Sequence, residues 1–413
     1  MRRLALVLAG AALLLSSCLS GRQNTIRIGA LFPMSGPQAS LSGQEYAGVR
    51  IARDFVNADG GVAGKPIELI ARDLTVREDA DARVAALQQD GVQAIIGTYS
   101  SSLSLPASSA AARRGLLYWE AGAVADQVTG RGLPLVFRVG ATGHNLGTMS
   151  SHFMASVIAP RLHRSPGSLR MAIVEEDDAY GQSVAGAART QALAEGMQVV
   201  TTITYEAARP DWPRVLGAVA SARPDVLVLA SYIPDGVSFR RAMLRSGLHV
   251  DALIGSTMAE CGPEFGALLG ADAIGVFASD RPTAGFNPDA LNATGRAMYE
   301  RFAATYRGRY HVDPTEESLA GFAAGWTLFH YVLPAAGSDL TASGMARVAQ
   351  SLDLPAGTLA NGAGIKFATS DALMGQNVRA ASVIWQWQGL RHSVTVYPPV
   401  FATGVPILIP LPR

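Results

Sequence analysis

Short apolar runs alternate with longer amphipathic stretches along most of the chain. The runs have the length and composition of buried strands, whereas the stretches place apolar residues near the spacing of one helical face. The first part of the chain is predicted to contain strands at 26–31, 67–71, 94–97 and 116–119 and helices at 42–57, 79–89 and 106–114. Alternation of this kind is typical of βαβ units, which build parallel sheets covered by helices on both faces.

The same alternation resumes after Arg138. This second series is predicted to contain strands at 171–175, 199–204, 226–230 and 252–254 and helices at 181–195, 212–222 and 236–246. Residues 288–332 are predicted to be mostly helical, and 380–397 to form a hairpin that turns near Gln388 and Gly389. Because 413 residues exceed one ordinary compact domain, the two series predict an α/β protein with two lobes.

The first residues have the pattern of a secretory signal. A basic pair precedes an apolar run at 4–15, which is shorter than the roughly 20 residues that a membrane-spanning helix needs. The run ends in the sequence LSSC, which resembles a bacterial lipobox, whose cysteine thiol receives a diacylglycerol. This predicts a lipoprotein signal peptide at 1–17, a lipidated Cys18 and a tether at 18–25. An ordinary signal peptide with an incidental cysteine is the alternative.

Charge and cysteine content exclude several classes of function. Because 34 Lys and Arg residues balance 33 Asp and Glu residues, no basic field exists to hold nucleic acid or anionic lipid. Cys18 and Cys261 are the two cysteines, and lipidation of the first leaves the second without a disulfide partner. Contact with a membrane is therefore expected through the lipid anchor only.

Templates for catalysis and for metal binding fail along the whole sequence. The glycine-rich residues 60–65 are followed by Pro66, where a phosphate-binding loop has Ser or Thr. Residues 181–186 are one residue too long for a nucleophile elbow, and the seven histidines are scattered. The acidic run at 175–178 lacks the spacing of a calcium loop and favours a charge cluster at a helix N-terminus. The sequence thus predicts no cofactor, no metal site and no enzyme.

A polar loop of small residues follows one predicted strand. Tyr99, Ser100 and Ser101 lie between the strand that ends at Gly97 and the helix predicted from Pro106. Ligands of open parallel sheets bind outside the carboxyl ends of the strands, and hydroxyls with backbone N–H groups can hold an anion at a helix N-terminus. Serine is also a common helix cap, so ligand binding and capping both stay open for this loop.

Four segments occur in the order typical of one known family. They are IRIGALFPMSGPQASLSGQEYAGVRIARDFVNADGGVAGKPIELIARD, AIIGTYSSSLSLPASSAAARRGLLYWEAGA, RMAIVEEDDAYGQS and PDVLVLASYIPDGVSFRRAMLRSGL. On these segments, residues 26–400 resemble the branched-chain amino-acid and amide-binding family of periplasmic binding proteins, the leucine/isoleucine/valine-binding type. The resemblance implies a two-lobed type I fold, in which each lobe is a mostly parallel sheet flanked by helices and three crossovers form the hinge. It implies lobe 1 at 24–138 plus 280–375 and lobe 2 at 139–279 plus 376–413.

The resemblance also implies a ligand site between the lobes. In the family, the residue matching Ser101 binds the ligand carboxylate, and those matching Gly122 and Val124 offer backbone groups. Residues matching Tyr180 and Tyr232 close over the ligand from lobe 2. The candidate ligand-binding residues are Leu41, which matches an aromatic wall, Tyr99, Ser100, Ser101, Glu120, Gly122, Val124, Tyr180, Tyr232, Thr257 and Glu317.

The sequence departs from the amino-acid binders of this family in two ways. Their first-lobe disulfide would fall near Val76 and Ser100, and it is absent. Their acidic partner of the ligand ammonium would fall near Thr257, so that charge is missing. Since an ammonium in a closed cleft needs a counter-charge, Glu120 and Glu317 are the candidate replacements, and a turn-capping or arginine-pairing role is the alternative for Glu120.

The resemblance implies a solute-binding protein outside the cytoplasm, periplasmic or at the cell surface and lipid-anchored. We expect a monomer that closes like a flytrap on a small polar or amphipathic solute, namely an amino acid, an amide or a carboxylic acid. Its partner would be the permease of an ABC importer. A ligand-sensing receptor domain with a separate signalling partner is the alternative function.

Overall fold

The computed structural model describes residues 25–257 and 262–412, and its framework is a pair of β-sheets. The strands of the first sheet are β1 (Ile26–Phe32), β2 (Ile67–Asp73), β3 (Ala94–Gly97), β4 (Leu117–Glu120) and β5 (Val136–Arg138). They run parallel in the order β2-β1-β3-β4-β5. The helices between them are α1 (Ala39–Ala58), α2 (Ala80–Gln89) and α3 (Ser101–Arg113).

The second sheet is larger and has one antiparallel edge. Its parallel strands are β6 (Arg170–Glu176), β7 (Gln198–Tyr205), β8 (Val226–Ala230), β9 (Ala252–Ser256) and β10 (Phe277–Asp280). The helices of this part are α4 (Gly143–Phe153), α5 (Ala179–Ala194), α6 (Trp212–Ala222), α7 (Ile233–Ser246) and α8 (Pro263–Leu269).

The rest of the chain adds helices to the first sheet and a hairpin to the second. The helices are α9 (Ala293–Tyr310), α10 (Glu316–Trp326) and α11 (Ala342–Ser351). The short pair β11 (Asp353–Leu354) and β12 (Ile365–Lys366) precedes the hairpin of β13 (Val383–Gly389) and β14 (His392–Tyr397). The second sheet has the order β14-β13-β10-β9-β8-β6-β7, and β13 is antiparallel to both of its neighbours.

The chain passes between the two sheets three times. After β5 it enters α4, whose Phe153 belongs to one buried cluster with Ile173 of the second sheet. After β10 it enters α9 and α10, whose Phe302 and Phe322 share a buried cluster with Ile28 of the first sheet. It returns to the second sheet after β12, where β13 pairs with β10. The expected α/β architecture with two mostly parallel sheets and three crossovers is thus confirmed.

Helices α1 and α10 approach each other closely because glycines lie at their crossing. A Cβ atom at Gly48 would lie 2.1 Å from the carbonyl oxygen of Ser318, and one at Gly321 would lie 1.9 Å from that of Glu45. Any side chain would push the helices apart, so this crossing requires glycine. The close approach places Glu45 near Glu317 in the first turn of α10.

The start of helix α3 differs from its prediction. The helix was predicted from Pro106, a residue type that favours the first turn of a helix. In the structure Ser100 is the N-cap, in an extended conformation, and Pro106 lies inside the helix. Leu103 in the added turn is buried one helical turn before the buried Ala107, so it extends the apolar face of the helix toward the N-terminus. Burial of this face explains why the helix begins at Ser101.

Some predictions concern parts of the chain that these observations do not reach. Cys18 and Cys261, together with the signal peptide at 1–17, lie outside the described residues. The lobe boundaries at 138, 279 and 375 stay predictions. The C-terminal residues pack on the second sheet, where Leu411 donates a backbone hydrogen bond to the carbonyl of Asp251.

One helical run among the described residues is long and apolar enough to cross a membrane. It covers Glu316–Ala336 and has a mean hydropathy of 1.2. Because 72 % of its apolar window is buried inside the protein, it is a core helix that packs on α1.

Candidate functional site

Five of the predicted site residues meet between the two sheets. Leu41 on α1 and Tyr99 after β3 belong to one apolar cluster with Tyr232, which precedes α7. The ring centroids of Tyr232 and Tyr180 are 5.2 Å apart, and Tyr180 in turn shares a buried cluster with Val124. Because these residues follow the carboxyl ends of parallel strands, the contacts define a cleft where ligands of such sheets bind.

A cavity of about 600 Å³ opens beside this cluster. Leu41, Tyr99 and Tyr232 form part of its wall, and the carboxyl-bearing side chains of Glu176 and Asp178 form another part. Both sheets contribute to the lining, so closing or opening the two halves would change the shape of this cavity.

Tyr180 closes the floor of the cleft from the second sheet. It is fully buried, and its hydroxyl lies 3.2 Å from the carbonyl oxygen of Ser231 and 3.1 Å from that of Thr257. These carbonyls follow β8 and β9, so Tyr180 ties two strand ends together. A phenol in this place stabilises the site, and its ring packs against that of Tyr232 at an interplanar angle of 58°.

Ser101 lies in the first turn of α3 and is fully buried. Its Oγ atom accepts a hydrogen bond of 3.0 Å from the backbone N–H of Ala125. A hydroxyl that accepts one bond can still donate its own hydrogen, which suits an anion at the helix N-terminus. Ser100, the preceding residue, pairs its hydroxyl with that of Ser102 at 3.0 Å.

Glu120 is fully buried, and both of its carboxylate oxygens are occupied by the protein itself. Oε1 accepts backbone N–H bonds from Ala121, Gly122 and Ala123 at 3.0, 2.8 and 2.8 Å. Oε2 accepts one from the N–H of Thr98 at 3.1 Å and another from the hydroxyl of Ser104. These contacts favour the turn-capping interpretation of Glu120 over the role of counter-charge.

A second group of acids surrounds one arginine deeper in the cleft. Arg281 follows β10, its Nη1 donates to the carbonyl oxygen of Gly122 at 2.8 Å, and its Nε pairs with Glu316. The Nε atom also lies 3.9 Å from Oδ1 of Asp280. We call Glu45, Asp280, Arg281, Glu316 and Glu317 the inner acidic cluster, and each is at most 2 % exposed.

The inner acidic cluster has more acid than base among the described residues, since four carboxyl groups accompany one guanidinium. Desolvation raises the pKa of Glu45 well above its usual range, although the charge of Arg281 acts in the opposite direction. Desolvation likewise raises the pKa of Glu316 and Glu317, and the nearby charge of Asp280 raises both further. Ionising all of these carboxyl groups would therefore require more positive charge than Arg281 alone supplies.

Several buried polar atoms here have no hydrogen-bond partner within 25–257 and 262–412. They include both carboxylate oxygens of Glu45, Oε2 of Glu317, the hydroxyl of Tyr99, Oγ1 of Thr257 and one donor, Nη2 of Arg281. Buried groups of this kind are costly unless something pairs with them. Their concentration in one place indicates a polar solute position.

Gly122 shows how close Glu45 lies to the predicted ligand position. A Cβ atom at Gly122 would lie 2.0 Å from Oε2 of Glu45, so the carboxylate sits directly against the glycine Cα. Thr257 is also buried, and its backbone N–H donates to the carbonyl of Ser279 at 3.0 Å. Thr257 stands where the amino-acid binders have an acid, and here acids lie on the opposite side, that of the first sheet.

Sequence reasoning identified Glu317 but missed Glu45, Glu316, Asp280 and Arg281. One signal was available for Glu45, which lies four residues after Leu41 and four before Val49 on the buried face of α1. A glutamate at a core position of a helix indicates a polar site. The described ranges contain no group of three or more His, Cys, Asp or Glu that could hold a metal ion.

The two sheets, the crossovers and the cleft define a two-lobed binding protein of type I. Residues 25–386 match the model of a family described as periplasmic binding protein, and the chain belongs to that family. It is 32 % identical over 402 residues to Leu/Ile/Val-binding protein homolog 8 of Brucella suis, covering 96 % of this chain and 97 % of the relative. Homolog 7 of the same organism is 31 % identical, over 90 % of this chain and 91 % of the relative.

Solved structures share the fold. A leucine-binding protein from Thermotoga maritima superposes with a TM-score of 0.76 and 18 % identity, covering 90 % of this chain and 98 % of that chain. A solute-binding protein from R. palustris in complex with benzoate superposes with a TM-score of 0.74 and 19 % identity, covering 92 % of this chain and 98 % of that chain. The expected type I fold is confirmed, and the family consists of binding proteins that act outside the cytoplasm.

Proposed function

We propose that this protein captures an amine-bearing solute, most simply an amino acid, in the cleft between its sheets and delivers it to the permease of an ABC importer. The inner acidic cluster is the observation that carries this proposal. Relatives named as Leu/Ile/Val-binding protein homologues support it, because such names refer to amino acids.

An ammonium group would supply the positive charge that the carboxyl groups of the inner acidic cluster need in order to ionise. It supplies three N–H donors and a positive charge, and Glu45 and Glu317 have buried oxygens to receive them. The carboxylate of the same solute would accept bonds from Ser101 and the N-terminus of α3, where the helix dipole favours negative charge. The apolar part of the solute would contact Leu41 and Tyr232.

The test is isothermal titration with matched pairs of an amino acid and its deaminated acid, beginning with leucine and 4-methylpentanoate. A buried charge pair that loses one partner costs about 2–5 kcal/mol, so the amino acid should bind at least roughly 30-fold more tightly. Glu317→Gln should remove most of that advantage, whereas Glu175→Gln, on strand β6 of the second sheet, should keep it. Equal affinity for both members across such pairs would contradict the proposal.

Lipid anchoring is a separate part of the proposal. The short apolar run at 4–15 that ends at Cys18 motivates it. We expect the processed protein to partition with membranes and Cys18→Ser to be released into the soluble fraction. A Cys18→Ser protein that stays with membranes after signal cleavage would rule the anchor out.

A further inference from the structure

The cavity of about 600 Å³ beside the tyrosine cluster, which we call the mouth cavity, is lined by aromatic and acidic side chains. Its walls combine the rings of Tyr99 and Tyr232 with three acids of the second sheet, Glu176, Asp178 and Asp235. No Lys, Arg or His side chain within the described residues lines it. An aromatic and acidic lining without a cation is the kind of surface that receives positively charged groups.

Two of the three acids also have structural contacts. Oδ1 of Asp178 accepts the N–H of Gly181 at 2.7 Å and so caps α5, as the acidic run at 175–178 led us to expect. Asp235 accepts the hydroxyl of Tyr205 and the N–H of Tyr232. Glu176 differs, because its Oε2 is buried without a hydrogen-bond partner among the described residues.

The electrostatics of the cavity point in the same direction. Desolvation, reinforced by the charges of Asp178 and Asp235, raises the pKa of Glu176 to about 8. Desolvation raises the pKa of Asp178 to about 6, against the effect of its hydrogen bonds from Gly181 and Tyr180. A cation in this cavity would restore the charged forms and displace a proton.

Tyr99 connects this cavity with the inner acidic cluster. Its side chain is 1 % exposed and lines the cavity, yet its hydroxyl has no hydrogen-bond partner in the part of the chain that the structure describes. The same hydroxyl interacts electrostatically with Glu317 and Glu45 of the inner cluster. Tyr99 therefore lies between the two groups of acids, and a solute lying along it would extend from one toward the other.

We propose that the mouth cavity binds a second positive group at the distal end of the solute, with Glu176 as its principal partner. This inference rests on the proposed function, in which the inner acidic cluster holds the first amine. Together the two sites select a solute with two separated cationic groups, such as a basic amino acid, over one with an apolar tail.

Isothermal titration of the unmodified protein with lysine and with norleucine tests this, because the two ligands differ only in the distal amine. A charged hydrogen bond in this cavity should make lysine bind roughly 10- to 100-fold more tightly than norleucine. At a pH near 7, lysine should also release a proton, so that its binding enthalpy changes with the ionisation enthalpy of the buffer. Norleucine, whose single amine reaches only the inner acidic cluster, should release fewer protons and show a smaller change with the buffer.

Variants locate the effect. Glu176→Gln should weaken the binding of lysine roughly 10-fold or more and leave the affinity for norleucine within about 2-fold of that of the parent. Glu175→Gln is the matched control, because Glu175 is the adjacent residue on β6, bonds to Thr204 and lines a different cavity. It should leave the affinity for lysine unchanged.

The outcomes separate the two proposals. Norleucine binding as tightly as lysine would overturn the second cationic site and leave the amine site standing. A tight lysine complex that is indifferent to Glu176→Gln would overturn the role of Glu176. Binding of neither ligand would overturn this inference together with the proposed amine site.

Discussion

Glu120, Glu45 and Glu317 are three buried glutamates whose surroundings assign them different tasks. Glu120 receives bonds from its own loop, whereas Glu45 and Glu317 keep buried oxygens without partners among the described residues. The sequence could place Glu120 at a strand end and Glu317 near a ligand position. It could not rank them, because the difference depends on which N–H groups the fold turns toward each carboxylate.

The substitution Glu120→Gln should therefore damage the fold more than ligand selection. A glutamine amide puts N–H donors against other donors on one side of the site, which removes contacts to the N–H groups of Ala121 to Ala123 or to Thr98. We expect the free energy of unfolding to fall by about 1–3 kcal/mol. Urea unfolding of the variant and of Glu175→Gln, which should be nearly neutral, measures this. Unchanged stability with selective loss of amine binding would return Glu120 to the ligand site.

Elements with strong apolar patterns could be predicted closely, and those shaped by packing could not. Strands β3 and β8 and helix α6 have the predicted bounds, because each is a clear apolar or amphipathic run between turn residues. Helix α3 starts five residues early, since Pro106 is tolerated within it. Proline does favour the first turn of a helix, but burial of the preceding turn places the start of α3 at Ser101.

The first turn of α10 shows the same limit at the candidate site. Thr315 caps the helix, and Glu316 and Glu317 follow, a pattern typical of a solvated helix start. The helix dipole favours their charged forms there. Burial opposes it and prevails, because the pKa of both glutamates is raised. The glycine crossing with α1, which no sequence periodicity shows, brings the backbone of α1 against this turn and contributes to its burial.

Across the whole molecule, Arg281 connects the two halves. It follows β10 of the second sheet and donates to Gly122, which follows β4 of the first sheet. Its partner Glu316 begins α10, which packs on α1 and shares a buried cluster with the first sheet. The guanidinium therefore lies at a crossover and beside the cleft. Motion of one sheet relative to the other would therefore change the surroundings of the inner acidic cluster.

The pH dependence of stability follows from these buried acids. Glu45, Glu316, Glu317, Glu176 and Asp178 all have a raised pKa in the folded protein, with about 8 for Glu176 and about 6 for Asp178. Above the unfolded pKa values near 4, the folded state holds more protons than the unfolded state. Its free energy of unfolding must then decrease as the pH rises through the folded values.

We therefore expect the ligand-free protein to lose stability steadily between about pH 5 and pH 8. Acids with a lowered pKa, such as Asp59 and Asp353, titrate below this window. His330 acts in the opposite direction, because burial lowers its pKa, but the acids with a raised pKa outnumber it. A bound amine favours the charged carboxylates, so its stabilising effect should grow over the same range. Urea unfolding at several pH values, with and without the solute, measures both trends. In Glu176→Gln the plot of the ligand-free free energy of unfolding against pH should flatten in its upper part. For the parent, a plot that is level or rising from pH 5 to pH 8 would contradict the raised pKa values of the buried acids.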